Sequence, residues 1–124
     1  MKWIVLCVLL CAAAAAVASD ERLELLESQL GSDLTGKVVV VDFWASWCVP
    51  CRRSFPWMNA MQAKYGGEQL VIVGINLDRD RNEADAFLAG TPADFQIHYD
   101  SSAGLAEAFG VEAMPSSFVF GRDG

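Results

Sequence analysis

A chain of 124 residues, 53% of them hydrophobic, is long enough for one domain with a real core and too short for two. Its net charge of −7 makes it a poor candidate for binding nucleic acid. At the start, Lys2, the apolar run from Trp3 to Val17 and the small residues Ala16-Val17-Ala18 read as a secretory signal with its cut after Ala18. The alternative is an uncleaved leader that anchors the protein in a membrane, although a spanning helix takes about 20 residues. Cys11 is not read as a lipid-attachment site, because Leu10 precedes it where a small residue is expected. Cleavage removes Cys7 and Cys11, leaves one pair of cysteines, and takes the side-chain charge from −7 to −8 by removing Lys2. A single pair is not the framework of a disulfide-rich scaffold. In an exported protein it points to an active redox pair.

Residues 19–36 form an N-terminal extension, and 37–124 form the domain. From Asp20 to Leu30, the residues Leu23, Leu26 and Leu30 recur at helical spacing, Leu25 broadens the stripe, and Gly31 stops it. Ser32–Gly36 reads as a turn. Val38–Trp44 is an almost continuous apolar run, as expected of a strand covered on both faces. A helix follows over about Cys51–Tyr65, with a kink expected at Pro56 and an end at Gly66-Gly67. Leu70–Leu77 is the second covered strand. Asp78–Asp85 is charged and leads into a short helix near Glu83–Ala89. Phe95–Tyr99 is a short strand. Ser101 or Ser102 is the expected cap of a helix over Ala103–Phe109. Ser116–Phe120 is the last strand, and Gly121–Gly124 carries a hairpin-type turn signal. Strands alternating with helices predict a three-layer α/β fold with a largely parallel sheet.

The chemistry sits in Trp47-Cys48-Val49-Pro50-Cys51, where the first strand turns into a helix. Two thiols on one helical turn can close a small ring. The first lies at the positive end of the helix dipole, where a thiolate is stabilised. Lowering a thiol pKa from about 8.5 to about 7 corresponds to roughly 2 kcal/mol of thiolate stabilisation. Cys48 is therefore the candidate nucleophile and Cys51 the resolving thiol. Pro50 suits a first-turn position. Trp44 is expected in the core, and Trp47 on a contact surface beside Cys48. Asp42 lies inside an apolar strand, where burial raises a carboxyl pKa. Arg52 and Arg53 read as solvated helix surface, and His98 as a structural or surface residue.

The segment Val41-Asp42-Phe43-Trp44-Ala45-Ser46-Trp47-Cys48-Val49-Pro50-Cys51-Arg52 resembles the active-site segment of the thioredoxin superfamily. Met114-Pro115 before the last strand resembles its cis-proline loop. The stretch between Leu77 and Ala113 is similar to the helix–strand insertion of the TlpA/ResA/CcmG branch of exported thiol-disulfide oxidoreductases. The resemblance covers about Thr35 to Gly124 and implies a thioredoxin-like fold with that insertion. It implies that Asp42 exchanges a proton with Cys51. Asp78 is a second acidic candidate, since an acidic residue in this neighbourhood goes with the active site of that branch, although it opens a charged run with Asp80 and Arg81, and such a run is usually a solvated loop. It also implies that Trp47, Pro50, Met114 and Pro115 form the substrate-binding surface, with Pro115 following a cis bond.

The implied activity is reduction of disulfides in other exported proteins. A membrane protein resupplies the electrons, cytochrome c maturation is one possible setting, and no cofactor or metal is needed beyond the Cys48-Cys51 disulfide. The location implied is periplasmic or otherwise extracytoplasmic, with membrane contact only through an uncleaved leader. This branch often carries Asn at the position of Asp42, so its redox tuning does not transfer wholesale. The family continues into a further strand and helix, so the 124 residues read as a domain incomplete at its C-terminus. Two alternatives are a peroxiredoxin-like peroxidase and a copper metallochaperone using Cys48, Cys51 and His98. The first needs Thr or Ser three residues before its reactive Cys, where this chain has Ala45. The second prefers a wider cysteine spacing.

Overall fold

The computed structural model describes residues 20–124. The leader reading, with its cut after Ala18, lies outside the described residues. The elements in chain order are α1 (Glu21–Leu30), β1 (Val38–Trp44), α2 (Val49–Tyr65), β2 (Leu70–Asn76), α3 (Arg81–Gly90), β3 (Gln96–Tyr99), α4 (Gly104–Ala108) and β4 (Ser116–Phe120). The strands form one sheet in the order β3-β2-β1-β4. The first three run parallel, and β4 runs antiparallel to β1.

The strand period of two divides β1 between two cores. Val39, Val41 and Phe43 pack with Leu23 and Leu26 of α1 and with Leu105 and Ala106 of α4. Val38, Val40 and Trp44 pack with Cys51, Phe55 and Met58 of α2 and with Ala84 and Phe87 of α3. The result is the three-layer α/β fold expected, with helices on both faces of a central strand that is apolar throughout except at Asp42. Arg22 fastens the start of α1 to the first core. Its guanidinium lies 5.5–5.7 Å from the ring centres of Phe109, Phe118 and Phe120, and it is paired with Asp20 at 2.8 Å.

Gly74 of β2 marks a close approach. A Cβ there would come within 2.8 Å of the Phe95 ring and 3.1 Å of both Ile97 and the Trp44 indole nitrogen. It is also the residue opposite Asp42 on β2. On that side Asp42 therefore faces no side chain from its cross-strand partner.

Several boundaries differ from the sequence reading, each for a local reason. Helix α2 starts at Val49, because Cys48 is its N-cap and Pro50 fills its first turn. Pro56 lies inside it and is exposed, and the helix runs to Tyr65 as expected. Leu25 turns outward instead of widening the buried stripe. Helix α3 begins at Arg81, since the Asp80 side chain accepts the Asn82 N–H. Neither Ser101 nor Ser102 caps α4. Ala103 adopts a left-handed conformation there, and the Asp100 carboxylate accepts the Ala106 N–H at 3.0 Å. Strand β2 ends at Asn76, and β3 begins at Gln96.

Candidate active site

Strand β1 delivers the chain to a short loop, Ala45-Ser46-Trp47, and the loop hands Cys48 to the N-terminus of α2. The extended backbone of Cys48 turns its sulfur back over the helix, where it accepts the Cys51 N–H at 3.3 Å. That N–H is one of the donors a first helical turn leaves unpaired. A sulfur in this position sits where negative charge is favoured. Cys48 and Cys51 form a disulfide, with Cα atoms 5.3 Å apart.

Exposure distinguishes the two cysteines. Cys48 keeps 4% of its surface, and Cys51 keeps none. Of the two, Cys48 is the less enclosed. Around it, Trp47 is 68% and Val49 59% exposed, and Pro50 is exposed as well. Met114 is half-buried and packs against the cluster that holds both cysteines. The Met114–Pro115 bond is cis and Pro115 is exposed. Trp44 is fully buried, as expected of a core residue.

Asp42 shares a face of β1 with Val40 and Trp44, and so points toward the layer that contains Cys51. It is buried. The Ser117 hydroxyl donates to its Oδ1 at 2.6 Å, while Oδ2 is buried without a hydrogen-bond partner. Burial pushes its pKa above the ordinary carboxyl value, and the Ser117 hydrogen bond partly opposes that shift.

Asp78 does not lie in a solvated loop. It is buried at the end of β2, and both carboxylate oxygens are engaged. Oδ2 accepts the Ser46 N–H at 2.9 Å and the Asn76 side-chain amide at 2.8 Å, and Oδ1 accepts the Ser46 hydroxyl at 2.7 Å. The carboxylate thus ties the loop ahead of Cys48 to the neighbouring strand. Arg52 is exposed and stacks over Phe87 at 4.9 Å, Arg53 is exposed, and His98 meets Gln29 at 3.2 Å.

The Redoxin family model matches residues 15–124. This chain belongs to the Redoxin family. Thiol-disulfide oxidoreductase ResA of Bacillus subtilis (strain 168) is 28% identical over 93 residues, which are 75% of this chain and 52% of that protein. The ResA of Bacillus anthracis is 30% identical over 92 residues, covering 74% and 53%. The chain spans about half the length of these relatives. Among solved structures, a Chlorobium tepidum protein described as a thiol:disulfide interchange protein DsbE is 50% identical with a TM-score of 0.69, covering 73% of this chain and 64% of that one. The fold is thioredoxin-like, of the type these oxidoreductases share.

Within this Redoxin site the sequence singled out Asp42 and Asp78 and missed their partners. Ser117, Ser46 and Asn76 carry no motif signal of their own. They become visible only once the strand register is known. Asp42 also carries a stability prediction. Its folded-state pKa is raised, so its stabilising contribution is fully present below the unfolded value, near 3.8, and is lost as pH rises through the folded value. Asp42→Asn is therefore expected to raise stability at neutral and alkaline pH, by about 0.5–2 kcal/mol. The gain should vanish in acid. Urea unfolding of both proteins across pH tests this, and a gain that is flat with pH would remove the ionisation as its cause.

Proposed function

We propose that the chain is an extracytoplasmic thiol-disulfide oxidoreductase that reduces disulfides in other exported proteins. The observation that carries the reading is the placement of Cys48, whose sulfur caps α2 and which, unlike the fully enclosed Cys51, keeps a small part of its surface. The family membership and the named activity of the relatives support it.

In the reduced protein, the Cys48 thiolate attacks one sulfur of a substrate disulfide. The other substrate sulfur leaves as a thiolate, and a mixed disulfide remains. Cys51 then loses its proton and attacks the Cys48 sulfur, which releases the second substrate thiol and closes the Cys48-Cys51 disulfide. Two electrons pass from the protein to the substrate, and a membrane thiol reductase restores them. Asp42 receives the Cys51 proton, and Asp78 fixes the loop that presents Cys48. The exposed surface of Trp47, Val49, Pro50 and Pro115 meets the substrate chain. Large exposed apolar groups beside a barely exposed cysteine suit a polypeptide better than a small thiol. The leader reading supplies the export.

The test is reduction of oxidised insulin by the dithiol form, set beside hydrogen peroxide consumption. Insulin reduction without peroxide turnover supports the reading. Peroxide turnover without disulfide reduction would replace it with a peroxidase.

A further inference from the structure

We propose that Ser117 is a positioning residue for the proton-transfer step, holding one oxygen of Asp42 on β4 so that the other is left for the Cys51 proton. The inference rests on the oxidoreductase reading and deepens it.

The register sets the geometry. Asp42 stands opposite Gly74 on β2 and opposite Ser117 on β4. Gly74 has no side chain to offer, so β2 contributes no partner there. On the other side, Ser117 points to the same face as Asp42, and its hydroxyl reaches Oδ1 at 2.6 Å. The short bond fixes the carboxylate plane. Oδ2 is then left buried and unpartnered, on the face of β1 that packs against α2 and Cys51. A buried carboxylate oxygen without a donor is costly unless it holds a proton. That makes it a natural acceptor for a proton leaving a buried thiol.

Among the charged and titratable groups on this side of the sheet, Arg52 of α2 is exposed and stacks over Phe87. Cys48 and Cys51 come from α2 and Tyr99 from β3, while α3 contributes the apolar Ala84 and Phe87 to the same cluster. Arg122 lines a groove of about 310 Å³ near Val38 and Val40, at the opposite end of the strands from the cysteines. In the disulfide form, burial raises the Asp42 carboxyl pKa and the Ser117 hydrogen bond opposes it.

Ser117 also lies two residues after Pro115 on the same segment. The strand that receives the exposed loop is thus the strand that holds the proton acceptor.

The experiment compares the full chain with Ser117→Ala and Ser117→Thr. The Asp42 carboxyl is titrated by its carbon-13 shift. The release step is followed as the second phase of reaction with a chromogenic aromatic disulfide, when Cys51 displaces the aromatic thiol from Cys48. Thermal unfolding confirms that each variant is folded, which the exposed position of Ser117 favours. A hydrogen bond to the charged form lowers a carboxyl pKa. Ser117→Ala is therefore expected to move the Asp42 titration to higher pH and to move the pH limb of the release step with it. Release should slow roughly three- to tenfold at neutral pH, the size set by one net hydrogen bond. Ser117→Thr, which keeps the hydroxyl, should restore both.

An Asp42 titration unmoved in folded Ser117→Ala overturns the proposal. A titration that moves while the release limb stays in place overturns it too, because Asp42 then takes no part in release. A wild-type protein with no release phase fails the oxidoreductase reading and takes the proposal with it. The titration arm, intact in that case, identifies which of the two has failed.

Discussion

Replacing Cys48 by Ser is expected to abolish turnover of an oxidised protein substrate, leaving only the uncatalysed background. Replacing Cys51 by Ser should instead leave a protein that reacts once and stays attached to its substrate. The asymmetry follows from the position of each sulfur. Cys48 caps α2, accepts a helical N–H and has surface left to the solvent. Cys51 is fully enclosed, 4.0 Å from the Phe43 carbonyl oxygen, and is reached only by a sulfur already joined to Cys48. A thiolate held at a helix N-terminus titrates below the ordinary thiol value of about 8.5, and roughly 2 kcal/mol of stabilisation brings it near neutrality. Alkylation of each single-cysteine variant across pH reads this directly. Cys48 in Cys51→Ser should label faster at neutral pH than Cys51 in Cys48→Ser. The reverse order would exchange the two roles. The adduct trapped on Cys51→Ser also identifies the client by mass.

What could be read from the sequence was whatever depends on local pattern. Strand β1 matched at both ends, because a β-branched run covered on two faces leaves no ambiguity of period or length. The cysteine pair was placed at the strand-to-helix turn for the same kind of reason. Helix α2 starts two residues before the expected position, since a sulfur acting as an N-cap is not among the usual cap signals. At α4 the expected caps are serines, while the oxygen that accepts a helical N–H belongs to Asp100, just before them. The polar partners of the site were out of reach. Ser117 meets Asp42 across 75 residues of chain, and Ser46 meets Asp78 across 32. Both pairings depend on which strand lies beside which. In a charged run such as Asp78-Arg79-Asp80-Arg81, composition suggests solvent. The register nevertheless buries Asp78 and uses Asp80 as a helix cap.

The largest loss of stability is expected from Asp78→Ala. Three donors converge on this carboxylate: the Ser46 N–H, the Ser46 hydroxyl and the Asn76 amide. Asn76 is 1% exposed, so its amide cannot turn to water when the acceptor is removed. The Ser46 N–H is fixed by the backbone and has the same difficulty, whereas the half-buried hydroxyl can find solvent. An unsatisfied buried donor costs about 1–3 kcal/mol, so two of them set an expected loss of about 2–6 kcal/mol. Ser46→Ala removes only the hydroxyl and leaves the backbone bond, so it should cost no more than about 1 kcal/mol. The two variants also separate stability from presentation of the nucleophile. Loss of the carboxylate frees the loop that carries Trp47 and Cys48, so Asp78→Ala should slow Cys48 alkylation beyond what Ser46→Ala does, measured well below its unfolding temperature. Denaturant unfolding of the pair is the decisive measurement. If Asp78→Ala fell within about 0.5 kcal/mol of wild type, the range of an ordinary surface change, the carboxylate would not be holding this loop.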